Sequence, residues 1–249
     1  MDSLALTLAD GDWRFGVFCL EVILSLTLVV WLRLMGRGSP APISLLAQLL
    51  GFGALAAMIA AAIEFKYAIP AHPNLSPWAG IFVNNVAASL IEELSKYFIA
   101  VLLLLHGGRL RRMTDAIFYL IVIGLGFSLV EDALFLINPE TIAPYRLLSF
   151  YLHSGTSAII GYNLGLYYFH RVGWPRLALG IAAAILLHLA YNLTTFLNDS
   201  ALAFYLTVSL TFYISLQIFI LYRRAVVEEF RFDHEQRPKT STKLLNLPH

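Results

Sequence analysis

Acids and histidines recur inside apolar stretches of this chain, at spacings that put them on common helix faces. In FVNNVAASLIEELSKYF, Asn85, Ser89, Glu92 and Lys96 follow one another at intervals of four, three and four. That interval stacks them on one face, with Glu93 beside the stripe. GLGFSLVEDALFL carries Glu131 and Asp132, one turn after Phe127. LHSGTSAIIGYNLG opens near His153 and continues through Ser157, Gly161 and Gly165, a small-residue stripe that lets helices approach closely. LLHLAYNLTTF sets His188 and Asn192 one turn apart.

These side chains suit hydrolytic chemistry. Hydrolysis needs an activated water, an acid for the leaving group and donors for the oxyanion. Glu92 and Glu93 are adjacent carboxyls that cannot both ionise cheaply in a low dielectric, which suits one of them to carry a proton. Lys96 can hold Glu92 ionised across one turn, or the roles of the two acids are reversed. Glu131, His153 and His188 make a set of three metal ligands with a position left for water, since two histidines and a carboxylate are a known catalytic zinc set. A metal-free alternative has glutamate and histidine activate the water, while His188 and Asn192 donate to the oxyanion. Blander readings exist for each group: a helix-locking Glu92–Lys96 salt bridge, and interhelical hydrogen bonds for the histidines.

The elements that must position these groups follow from composition. The chain has 249 residues, 59 % of them hydrophobic and 13 % charged, with one cysteine and a net charge of +1. Disorder needs low hydrophobicity and high charge, and a disulfide framework needs paired cysteines, so both are excluded. Nothing in the charge points to nucleic acid. The composition is that of an all-α, polytopic membrane bundle. Seven runs are long enough to cross a core of about 30 Å: Phe15–Leu34, Ile43–Ile63, Trp78–Leu105, Ala116–Ile137, Leu147–Phe169, Leu177–Leu197 and Ala201–Tyr222. They make one membrane domain over 1–222, followed by a polar tail over 223–249.

Charge orients the seven spans. Arg33, Arg37, Arg109, Arg111, Arg112, Arg171, Arg176 and the tail residues Arg223, Arg224, Arg231, Arg237, Lys239 and Lys243 fall on one side. Arg14 and Arg146 fall on the other, with Lys66 and Glu64 snorkelling at the outer end of the second span. The positive-inside rule then puts the N-terminus outside and the C-terminus in the cytoplasm. At about 1.5 Å per residue, Glu131 and His153 lie some 9 Å, and His188 some 14 Å, below the outer surface. The overlong third span brings Glu92 to a similar layer. Glu21, in the outer third of the first span, is expected to pair rather than to catalyse.

Read in order, the four polar segments resemble the PrsW intramembrane proteases, in the superfamily of the CAAX prenyl proteases. The matching residues are Glu92-Glu93-x-x-Lys96, Gly124-x-Gly126-Phe127-x-x-x-Glu131, His153 with Gly161 and Gly165, and His188-x-x-x-Asn192. Asp132 departs from the pattern, which has Asn there. The seven-span, N-out arrangement also resembles the scaffold subunit of gamma-secretase. The resemblance implies an intramembrane endopeptidase of a prokaryotic cell membrane, glutamate- or metal-dependent, with zinc as the candidate cofactor. Glu92, Glu93, Glu131, His153 and His188 would be catalytic, with Lys96, Asn192 and Phe127 supporting them. The expected partners are the bilayer and a single-span membrane protein, cut near its extracytoplasmic end as in the first cleavage of an anti-sigma factor. The alternatives are a non-catalytic scaffold for a partner helix, a CAAX-type prenyl protease, and an ion or proton transporter, for which the chain shows no inverted repeat.

Overall fold

A computed structural model describes residues 12–35, 41–67, 76–105, 109–137, 148–170, 172–196 and 201–236. All seven described elements are α-helices: α1 (Asp12–Met35), α2 (Ile43–Tyr67), α3 (Pro77–Leu105), α4 (Met113–Ile137), α5 (Ser149–His170), α6 (Trp174–Phe196) and α7 (Ala201–Gln236). Arg37, Arg146, Arg171, Arg237, Lys239 and Lys243 lie outside the described residues, as does the side chain of Arg14.

Five helices, α1, α2, α4, α6 and α7, are long and apolar enough to cross a membrane. The other two, α3 and α5, are equally long but carry the polar residues singled out above, Glu92, Glu93 and Lys96 in one and His153 in the other. The apolar side chains that the bundle leaves outward, such as Leu34, Phe65, Phe98, Leu102, Leu186 and Phe212, are too large and numerous for a water-facing surface and suit acyl chains.

One helix sits at the centre. α4 is 83 % buried along its apolar stretch, against 22–33 % for the other four. A helix that is apolar all round belongs in the interior, and the unbroken run Ala116–Val122 is buried. It packs on α5 and α2 above all, and also touches α1, α3 and α7.

Two glycines allow α4 and α5 to approach closely. A Cβ on Gly161 of α5 would lie 2.8 Å from the Ala116 carbonyl oxygen and from Ile117 Cα of α4. A Cβ on Gly124 of α4 would strike the His153 carbonyl oxygen and Ser157 Oγ. The small-residue stripe is therefore spent on α4 of the same chain, which removes the reason to reserve it for a partner helix. Because backbone cannot yield as a flexible side chain can, Gly161→Leu is expected to force α4 and α5 apart and lower the thermal midpoint in detergent. Overpacking costs about 1–3 kcal/mol, a shift of roughly 2–12 °C in a chain of this size. An unchanged midpoint would show that the pair has slack.

The helices alternate in direction. At one end, Tyr222 donates to the Leu32 carbonyl (3.3 Å), Arg109 to Gln48 (3.2 Å), and Tyr162 to Glu228 (3.2 Å). The α4 N-terminus is capped there from a distance: Thr114 donates through its backbone N–H (2.6 Å) and its hydroxyl (2.8 Å) to Glu229 Oε1 of α7. A carboxylate at that position satisfies a free N–H and meets the positive end of the helix dipole. This docking explains why α7 runs on past Tyr222 to Gln236, through the first half of the stretch that the sequence reads as a tail.

Candidate active site

The acids and histidines gather inside the bundle from α3, α4, α5 and α6. Glu93, fully buried on α3, is the hub. Its Oε1 accepts from Lys96 Nζ (2.6 Å), His188 Nδ1 (2.7 Å) and Thr156 Oγ1 (3.0 Å). Three donors on one oxygen require that oxygen to be anionic. Lys96, also fully buried, therefore pairs with Glu93 three residues away, so the reversed arrangement of the two acids holds and not the Glu92–Lys96 pair. Its ammonium lies 4.9 Å from the Phe127 ring centroid and 3.1 Å from His153 Nδ1. An ammonium has only protons to offer, so Nδ1 accepts and His153 Nε2 carries the ring proton, which it donates to Glu131 Oε2 at 2.6 Å.

Glu92 stands apart from that network. Its Oε2 is buried without a hydrogen-bond partner and faces His188 Nε2 at 3.6 Å. That gap is too long for a hydrogen bond. Two ligands of one tetrahedral ion, each at about 2.0–2.1 Å, stand roughly 3.4 Å apart. Glu92, His153 and His188 each present a ligand atom within 4.8 Å of the others, all three residues buried. The two rings meet edge to face at 5.2 Å.

The carboxylate of this cluster is thus Glu92, where the sequence reading had Glu131. The reason is geometric: Glu92 Oε2 faces His188 Nε2 at 3.6 Å, near ligand spacing, whereas Glu131 and His153 are engaged with each other in a hydrogen bond. His153 itself would join an ion by giving up its Glu131 or its Lys96 contact. The donor chemistry fits a divalent cation nevertheless. His188 is held through Nδ1 by an anionic carboxylate, which fixes the tautomer that leaves Nε2 open toward Glu92.

A fourth acid was missed in the sequence. Glu64 of α2, read there as a snorkelling residue, turns inward, with Oε1 buried and no hydrogen-bond partner. Its carboxyl is in electrostatic contact with those of Glu131 and Glu92. Three carboxyls facing one another inside the bundle repel unless a cation or shared protons balance them.

The supporting residues fall around this core. Phe127 packs on the His153 ring at 5.0 Å, beneath Lys96. Asn192 donates to Ser89 Oγ at 3.5 Å, tying α6 to α3 one turn beyond His188. Asp132 points elsewhere. It accepts from Ser149 in a short contact and from Ser128 (3.4 Å), whose hydroxyl also reaches Glu21 Oε1 of α1 (2.9 Å). Glu21, 2 % exposed, is therefore held in a polar network joining α1, α4 and α5.

Comparison with known proteins places the chain in a family. The PrsW family, described as intramembrane metalloproteases, matches residues 41–222. The chain belongs to the PrsW family. Protease PrsW of Halalkalibacterium halodurans is 30 % identical over 155 residues, which are 58 % of this chain and 70 % of that protein. No solved structure matches the chain. This member of the PrsW family is therefore an intramembrane protease and an integral membrane protein, and the bacterial relative supports a prokaryotic membrane. The matched region begins after α1, so the Glu21 network reaches beyond it.

Proposed function

We propose that the protease cuts single-span membrane proteins, with a metal ion held by His188, His153 and Glu92. The observation that carries this reading is the buried His188–Glu92 gap of 3.6 Å, with His188 braced from behind by Glu93. A bound ion, zinc being the best fit to two imidazoles and a carboxylate, would supply a polarised water and carbonyl. Glu93 keeps His188 oriented, and Lys96 neutralises Glu93. Glu131 is positioned to move the proton. Its side chain is 22 % exposed, so water and a substrate backbone reach it. It takes a proton from the attacking water as the C–O bond forms and returns it to the amine as the C–N bond breaks. Asn192 braces α6 against α3.

The cluster lies near the end of the bundle opposite the arginines. His153 is four residues from the start of α5, Glu131 six from the end of α4, and His188 eight from the end of α6. At about 1.5 Å per residue these are depths of roughly 6–12 Å. With the arginines inside, that end is extracytoplasmic, so the scissile bond lies near the outer end of the substrate's span. A membrane-anchored regulator whose release starts a signalling cascade, such as an anti-sigma factor, has the required topology. A prenylated cytosolic C-terminus does not.

New protein N-termini in the membrane fraction of the source cells test this. Cells carrying the wild type are compared with His188→Ala and Glu131→Gln at equal abundance. N-termini within or just outside single spans are expected in the wild type and absent in both variants. Unchanged N-termini, with a phenotype that follows only the presence of the fold, would make the protein a scaffold.

A further inference from the structure

The end of the bundle far from the active site carries a groove that the protease chemistry does not use. It has a volume of about 510 Å³ and is formed by the last described turns of α7 against α5. Two rows of α7 side chains build it at four-residue spacing: Phe219, Arg223, Val227 and Arg231 in one, Ile220, Arg224 and Glu228 in the other. Tyr162 of α5 forms the wall. Its hydroxyl donates to Glu228 Oε1 (3.2 Å), and the three arginines outweigh that one carboxylate, so the groove is basic. Arg223, Arg224 and Arg231 are all exposed. The Arg223 guanidinium lies 5.7 Å from the Phe219 ring centroid, and Phe219 stacks in turn on Trp31 of α1 at 6.2 Å.

The level of the groove in the membrane decides what fills it. Counting about 30 Å of hydrocarbon from Ala201 at 1.5 Å per residue reaches Leu221. Phe219 and Ile220 then lie just inside the hydrocarbon and the arginines at the headgroups. A ligand that meets both needs an apolar chain and a phosphate across that boundary.

We propose that this groove is a binding site for an anionic phospholipid, with the phosphate between the α7 arginines and an acyl chain along Phe219 and Ile220. Guanidinium forks match phosphate oxygens in pairs. Basic pockets at the ends of membrane helices recognise anionic headgroups in this way. The bound lipid would brace the stretch of α7 whose Glu229 caps α4, the helix that carries Glu131.

Native mass spectrometry of the full chain in a neutral detergent tests the site. The protein is offered equimolar phosphatidylglycerol and phosphatidylcholine. The wild type is expected to retain phosphatidylglycerol, and Arg223→Gln/Arg224→Gln/Arg231→Gln to lose it about ten-fold or more, with the same thermal midpoint in lipid-free detergent. Arg111→Gln/Arg112→Gln removes two exposed arginines from the same end but outside the groove, and is expected to retain the lipid. Equal losses in both variants would show diffuse attraction and overturn the proposal. Displacement by millimolar inorganic phosphate would overturn it too, since the groove would then hold a free anion.

Discussion

Glu92→Gln is expected to abolish cleavage, by about a thousand-fold or more, and to strip the purified protein of bound metal while leaving the fold intact. The three effects separate because of where this carboxylate stands. Its Oε2 is buried with no hydrogen-bond partner, so an amide of the same shape orphans no donor in the bundle. The neighbouring acids, Glu64 and Glu131, repel it, so neutralising it costs no attraction from them. Lys96 attracts it, but keeps its own ion pair with Glu93, so the loss falls mainly on the ligand set. A thousand-fold drop is about 4 kcal/mol of transition-state stabilisation, a reasonable size for removing one of three protein ligands.

Metal content by plasma mass spectrometry, cleavage in proteoliposomes and the thermal midpoint together read the outcome. Glu131→Gln serves as the contrast, because it should lose activity with the metal retained. Metal retained in Glu92→Gln would give Glu92 the proton-moving role instead. Full activity would remove the cluster from the mechanism.

How far the sequence led can be judged from particular residues. Length and apolarity were enough to place every helix within a few residues, apart from the far end of α7, because a bilayer fixes both. The depth count brought Glu92, Glu131, His153 and His188 to one layer, and the structure sets them in contact or nearly so. What spacing could not decide was which acid faces which partner. Lys96 is three residues from Glu93 and four from Glu92, and both intervals are neighbours on a helix. Only the rotation of α3 against α5 and α6 chooses between them, and that rotation is set by packing between helices distant in sequence. The same limit hid Glu64, because hydropathy ended the second span before it while α2 runs on to Tyr67. Glu21 was expected to pair, but the partner network of Ser128, Ser149 and Asp132 spans three helices and no local pattern announces it.

Lys96→Met and Glu93→Gln are each expected to destabilise the protein severely, and the double variant to recover most of that loss without recovering activity. The two residues form an ion pair at 2.6 Å with side chains 1 % and 0 % exposed. Removing one partner leaves the other as an uncompensated buried charge, at about 3–5 kcal/mol. In a chain of this length that lowers the midpoint by roughly 6–20 °C. Removing both replaces the pair by neutral groups of similar volume, which is often tolerated or better. The amide that takes the place of the Glu93 carboxylate can still accept from His188 and Thr156 through its carbonyl oxygen, so the helices stay tied. What does not return is the negative charge behind His188. A carboxylate there fixes the tautomer and orientation of the ring, and losing such a partner costs about 10–100-fold in metal affinity or activity. Thermal midpoints of the four proteins of the cycle, with cleavage assayed below all of them, give the answer. A double variant no more stable than the weaker single would show that Lys96 and Glu93 do not act as a unit. A double variant with full activity would show that His188 needs only an acceptor behind it and not a charge.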